Sequence, residues 1–171
     1  LARRAAAQTD AVVFADIGPA PDTEALPAAQ LYTALADCFL ALGAKNFLFE
    51  TLSADTGVAE AAKQIKQAAP DAFVLVSFAV LPDGYTREGQ HCAELVRRME
   101  ACGAVDAVGL NCVSAPSAMG ELVQKLGGAK LPLSVMPNAG YPVVTRTRVQ
   151  YRGRPEYFAQ ELAKLAARGV R

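Results

Sequence analysis

A chain of 171 residues, 52% of them hydrophobic, holds enough apolar material for one substantial core and one domain of ordinary size. Lysine plus arginine and aspartate plus glutamate number 17 each, so no global field draws the protein to nucleic acid or to a membrane, and the expected partner is a small molecule. The N-terminus lacks the basic, apolar, small order of a signal peptide, and no apolar run approaches the ~20 residues that span a bilayer, so the chain reads as soluble and cytoplasmic.

The first five residues, Leu1-Ala2-Arg3-Arg4-Ala5, read as the tail of a helix. Apolar or β-branched runs then alternate with amphipathic stretches. The predicted order is a strand over 11–17, a helix over 27–42, a strand over 45–50 and a helix over 54–68. A strand over 72–77, a helix over 87–101, a strand over 105–110, a helix over 116–126, a strand over 131–136 and a helix over 155–167 complete it. Gly43, Gly103, Gly127-Gly128 and Gly169 follow the helical segments as C-terminal caps do. Pro82-Asp83-Gly84 marks a turn, and Thr86 is placed to cap the helix after it. The last residues, Gly169-Val170-Arg171, look like the beginning of another strand.

Strict alternation of strand and helix means βαβ units and a parallel sheet covered on both faces. Strand starts recur about every 30 residues, so eight units would need about 240, close to the ~250 of a (β/α)8 barrel. Spacing alone separates an open sheet from a barrel only in part; as a barrel, 1–171 would be a single incomplete domain, with both ends cut inside a larger one.

Four cysteines stand at 38, 92, 102 and 112, with neither a C-x-x-C pair nor the density of a disulfide scaffold. Cys38 falls in helical register with Leu31, Leu35 and Leu42, and Cys92 and Cys102 with Leu95 and Met99; these three are expected in the core. Cys112 instead follows a strand. His91, the single histidine, is expected on the surface near the start of a helix and away from every strand end, so imidazole-based metal sites and Ser-His-Asp chemistry are not expected within the chain.

The ends of the five strands carry Asp16 and Gly18, Glu50 and Thr51, Ser77, Asn111 and Cys112, and Asn138 and Gly140. In a barrel these gather at one mouth, the C-terminal face, where such folds keep their chemistry. Each has a plainer reading alone: Glu50 as a solvated strand end, Asn111 and Asn138 as turn formers, Cys112 as an inert thiol, with Ser77 the weakest candidate. It is the joint pattern that points to a site.

Phe49-Glu50-Thr51, Gly109-Leu110-Asn111-Cys112 and Pro137-Asn138-Ala139-Gly140-Tyr141-Pro142 resemble, in order and spacing, the motifs of the homocysteine S-methyltransferase domain. Ile17-Gly18-Pro19, Ser77-Phe78-Ala79 and Gly84-Tyr85-Thr86-Arg87-Glu88-Gly89 fit the same pattern. The last loop is most similar to bacterial methionine synthases and to bifunctional homocysteine methyltransferase and methylenetetrahydrofolate reductase proteins. The resemblance implies a partial (β/α)8 TIM barrel, about strands three to seven with the start of the eighth.

It also implies an enzyme that transfers a methyl group to the thiol of homocysteine, forming methionine. The implied cofactor is Zn2+, held by Cys112 and by two adjacent cysteines of a Gly-Gly-Cys-Cys motif expected beyond Arg171. Glu50 matches the glutamate that contacts the substrate ammonium, a charge-assisted pairing. Asn111 and Asn138 match positions that hold substrate and ligand loops. Methylcobalamin or methyltetrahydrofolate is the implied methyl donor, through cobalamin or folate domains of a longer parent. Arg146, Arg148, Arg152 and Arg154 read as a solvated loop or hairpin, with an anionic donor or a neighbouring domain as the alternative. A non-catalytic α/β binding module, or a degenerate barrel without its metal, is the competing reading.

Overall fold

Period-two apolar runs flanked by 3.6-period stretches fold here into one parallel sheet with helices against it. The structure, a computed structural model, describes residues 1–140, 142–144, 146–151 and 153–170. After a short helix α1 (Ala2–Ala6), the elements are β1 (Ala15–Ile17), α2 (Ala28–Ala41), β2 (Asn46–Leu52), α3 (Val58–Ala68), β3 (Phe73–Phe78), α4 (Cys92–Cys102), β4 (Ala107–Asn111), α5 (Pro116–Lys125) and β5 (Leu133–Met136). A hairpin of β6 (Pro142–Val144) and β7 (Val149–Tyr151) precedes α6 (Pro155–Ala167). Strands β1 to β5 pair in sequence order and all in parallel, as successive βα units of a partial (β/α)8 barrel do.

Register assigns the faces. Phe47 and Phe49 pair with Val74 and Val76, which pair in turn with the β4 side, Val76 opposite Val108 and Phe78 opposite Leu110. All seven side chains are 0% exposed and form the core with Ala61, Ala62 and Ile65 of α3 and Leu95 and Met99 of α4. Burying a side chain of this size contributes about 1.5–3 kcal/mol. The opposite face, which lines the interior of a barrel, carries Asp16, Leu48, Glu50, Leu75, Ser77, Gly109 and Asn111, the alternate residues of β1 to β4. At its N-terminal end Asp106 accepts from Val74 N (2.7 Å) and pairs with Lys66 (2.7 Å), tying α3 to the starts of β3 and β4.

Several boundaries depart from the pattern for visible reasons. Strand β1 starts at Ala15 because residues 11–14 have no ladder partner, Asn46 Nδ2 reaching only the Val13 carbonyl. Helix α3 starts at Val58, after Gly57 at φ 78°; a Cβ there would lie 2.4 Å from Ala29 N, so only glycine lets α2 approach.

Helix α4 begins at Cys92, and Thr86 does not cap it. Residues 85–91 close on themselves, with Tyr85 bridged to His91 and Thr86 N bonded to Gln90 O. The Thr86 hydroxyl accepts from Gln90 N within that loop. His91 is the cap, its Nδ1 accepting from Ala93 N at 3.3 Å. The core role expected of three cysteines holds for Cys92, which is buried, whereas Cys102 is half-buried and Cys38 exposed. The buried stripe of α2 is Ala28, Tyr32 and Ala36, and Cys38 lies two residues, or about 200°, from Ala36 around the helix.

Candidate active site

The C-terminal ends of β2, β3 and β4 meet around one side chain, Asn111. It is 2% exposed and reaches across β3 to β2. Its Oδ1 accepts from Thr51 N (3.0 Å) and from the Ser77 hydroxyl (3.0 Å). Its Nδ2 faces Thr51 Oγ1 (2.9 Å), Glu50 Oε2 (3.4 Å) and Cys112 Sγ (3.5 Å). Both lone pairs of the oxygen are taken, and two amide hydrogens serve three acceptors, so Asn111 has nothing left to offer a ligand.

This meeting depends on a β-bulge. The β2–β3 register runs evenly to Phe49 opposite Val76 and resumes at Leu52 opposite Phe78. Glu50 and Thr51 therefore both stand against Ser77, and the extra residue re-aims the strand end, as bulges beside functional sites do. Thr51 adopts φ 60°, left-handed and unusual for a β-branched residue. Such a conformation costs about 1–3 kcal/mol, which the two hydrogen bonds to Asn111 offset at about 1 kcal/mol each.

A second strained turn follows β4. Cys112 and Val113 have φ 56° and 49°, and Ser114 N bonds back to Cys112 O across Val113, a three-residue turn. Ser114, 0% exposed, anchors it: its hydroxyl donates to Val80 O (3.0 Å) and its carbonyl accepts from Asn138 N (3.1 Å). Cys112 N in turn donates to Met136 O (3.0 Å). The thiol of Cys112, half-buried, is thereby turned toward the β2 end, with Thr51 Oγ1 at 3.6 Å.

Glu50 is half-buried, and its carboxyl titrates above its ordinary value, chiefly from burial and then from the Asp16 carboxylate on the neighbouring strand. A cationic group placed beside Glu50 would relieve both effects.

The structure thus gathers Glu50, Asn111 and Cys112, and adds Ser77, the weakest candidate on sequence, as a fully buried partner of Asn111. Asn138 joins through its backbone, and its half-buried side chain lies just beyond β5. Ser114 carries no sequence signal beyond being a small residue before the predicted helix over 116–126, and Thr51 was legible only as the neighbour of Glu50. Arg146 and Arg148 are exposed between β6 and β7, and Arg154 precedes α6. Arg152 lies outside the described residues.

Zinc is implied by the motif resemblance, and the donors can be checked against it. Among the described residues no three His, Cys, Asp or Glu side chains come together as a metal site. Cys38 lies on α2, and Cys92 and Cys102 on α4. Cys112 is one thiol where zinc takes three or four protein ligands, so the residues present do not fit the ion by themselves.

A parallel sheet of successive βα units with polar residues gathered at its C-terminal strand ends defines a partial α/β barrel. Within that class, the family model for homocysteine S-methyltransferase matches residues 1–171, and the chain belongs to that family. It is 33% identical over 141 residues to a methionine synthase of Mycobacterium leprae (strain TN), an alignment covering 80% of this chain and 12% of that one. It is 42% identical over 64 residues to a methionine synthase of Mycobacterium tuberculosis (strain ATCC 25618 / H37Rv), covering 37% and 5%. Its fold matches the apo form of the homocysteine methyltransferase MmuM from Escherichia coli with a TM-score of 0.69 at 24% identity, covering 99% of this chain and 61% of that one. The metallated form of the same enzyme gives 0.63 over 85% of this chain and 46% of that one. The chain therefore spans about an eighth of the length of the methionine synthase of M. leprae.

Proposed function

We propose that this chain is the central part of a barrel that transfers a methyl group to the thiol of homocysteine, forming methionine. The observation that carries the proposal is the convergence of Glu50, Asn111 and Cys112 on one point at the ends of β2 and β4, on a chain that belongs to this family. In it, Glu50 receives the substrate ammonium, Asn138 contributes a hydrogen-bonding side chain from the β5 end, and Asn111 holds the ends of β2 and β3 in place. Cys112 is one thiolate ligand of zinc, and two further thiolates come from residues outside these 171, as the five-stranded open sheet leaves room for more barrel strands. When bound, the metal supplies a site where a thiol is held as thiolate at neutral pH.

The methyl donor in this proposal is methylcobalamin or methyltetrahydrofolate, presented by other domains, and the protein works in the cytoplasm without membrane or nucleic-acid partners. Among the described residues no helix is long and apolar enough to cross a membrane.

The test is methionine formation by the complete barrel carrying Glu50→Gln or Cys112→Ser. Glu50→Gln keeps shape and removes charge, so KM for homocysteine rises roughly tenfold to a hundredfold, from about 1.5–3 kcal/mol of charge-assisted contact, while kcat changes little. Cys112→Ser abolishes turnover and lowers zinc content with the fold intact. An unchanged KM removes Glu50 from the substrate site, and full metal content with normal turnover in the serine variant refutes the metal assignment.

A further inference from the structure

The direction of the hydrogen bonds around Asn111 fixes which way its amide faces and ties a neighbouring hydroxyl to it. Thr51 N–H is a donor, so the amide oxygen of Asn111 must face it at 3.0 Å, and the Ser77 hydroxyl reaches the same oxygen at 3.0 Å. With the oxygen fixed, Nδ2 must face Thr51 Oγ1 at 2.9 Å and donate to it. The Thr51 hydroxyl, accepting there, has its own hydrogen left to give. The remaining partner of that oxygen is Cys112 Sγ at 3.6 Å, and Asn111 Nδ2 approaches the same sulfur at 3.5 Å. Two polar groups thus converge on the sulfur, the Thr51 hydroxyl from the end of β2 and the Asn111 amide from β4, and in the first contact either the hydroxyl or the thiol can donate; Thr51 and Cys112 are 61 positions apart.

We infer that Thr51 is a positioning residue for Cys112: its hydroxyl, oriented by Asn111, holds the thiol in one side-chain rotamer facing the β2 end. The left-handed backbone of Thr51 belongs to the same device. At φ 60° the bulged residue turns both its N–H and its hydroxyl to the one amide. Cys112, also left-handed at φ 56°, stands on a turn whose backbone is held by Met136 and Ser114. That turn sets where the Cα of Cys112 sits; the hydroxyl sets where its sulfur goes, among the staggered wells open to it. The inference deepens the proposed function, because it assigns a residue the task of aiming the sulfur that the proposal makes a ligand.

The experiment is carried out on the 171-residue chain with selectively labelled cysteine, reading the Hα–Hβ couplings of Cys112 by NMR in the parent, Thr51→Val and Thr51→Ser. Valine keeps the β-branch and volume and loses the hydroxyl; serine keeps the hydroxyl. The expected result is one dominant Cys112 rotamer in the parent and in Thr51→Ser, and averaged couplings in Thr51→Val, with the couplings of Cys92 unmoved in all three. A single Cys112 rotamer in Thr51→Val, or averaging in the parent, overturns the inference. Averaging in Thr51→Ser as well overturns it too, because then backbone strain and not the hydroxyl governs the sulfur. Failure of the methyltransfer proposal would show separately, as unaltered turnover in Cys112→Ser, with the rotamer result untouched.

Discussion

Replacing Asn111 by alanine tests the hub directly, and its cost can be worked from the bonds it breaks. The Ser77 hydroxyl, 0% exposed, loses its acceptor, and Thr51 N–H loses the oxygen that holds its left-handed backbone. A buried donor left unsatisfied costs about 1–3 kcal/mol. Thr51 is half-buried and regains some of its loss by hydration, which places the total at about 2–4 kcal/mol. That is a large part of the 5–15 kcal/mol by which domains are typically stable. With a urea slope of about 2 kcal/mol per molar, the denaturation midpoint should fall by about 1–2 M at constant slope.

The sharper reading comes from a double-mutant cycle with Ser77→Ala. Alone, that substitution removes one neutral hydrogen bond and costs about 1 kcal/mol. In the Asn111→Ala background the hydroxyl is already orphaned, so removing it should cost nothing or stabilise the protein. The predicted coupling is about 1 kcal/mol or more, in the range found for residues in direct contact. Equal costs of Ser77→Ala in both backgrounds would refute the hub, as would an Asn111→Ala penalty below about 1 kcal/mol.

Glu50 yields a pH signature. Its carboxyl titrates above the ordinary 4.5 in the folded protein, so the folded state binds the extra proton first, and stability falls as pH rises from the unfolded value through the raised folded one. Glu50→Gln should therefore be more stable than the parent at neutral pH and should lose that advantage below the unfolded value; a pH series of urea midpoints that stays parallel would contradict this. Gly109→Ala should destabilise, because the added Cβ would lie 2.9 Å from Ser134 O and 3.1 Å from Ser77 Oγ; a thermal midpoint equal to the parent's would show that β4 and β5 can part at no cost. Equilibrium dialysis of the 171-residue chain should recover no stoichiometric zinc, since among the described residues no three His, Cys, Asp or Glu side chains gather as a metal site; one tightly held zinc per chain would overturn that.

The architecture was legible because it rests on local period. Strands with apolar runs and helices with amphipathic ones fell within a few residues of their predicted places, and the sheet order follows from strict alternation. Polar strand ends were legible for the same reason: once the strands are placed, Glu50, Asn111 and Cys112 mark their C-terminal ends. What the chain did not reveal is set across strands. The bulge at Glu50 and Thr51 exists only relative to β3, and the grip of Asn111 on Thr51 spans 60 positions. Cys38 was misplaced because leucines at helical spacing define a stripe on α2, while the sheet packs against its alanines and Tyr32.

The division of labour at the site follows from hydrogen-bond capacity. Asn111 spends its amide on three strand ends, and Ser77 and Ser114 spend their hydroxyls on Asn111 and Val80. The groups that retain capacity for a ligand are at the rim: the Glu50 carboxylate, accepting only a long 3.4 Å contact, the Cys112 sulfur and the Asn138 side chain. The strained residues Thr51, Cys112 and Val113 lie between these two sets, where they join buried anchors to exposed chemistry. Strain of this kind persists only when the surroundings over-determine it, and here Asn111, Ser114 and Met136 do so from β4, the turn after it and β5. A ligand arriving at the mouth therefore meets groups already held in place, and the cost of ordering them has been met in folding rather than in binding.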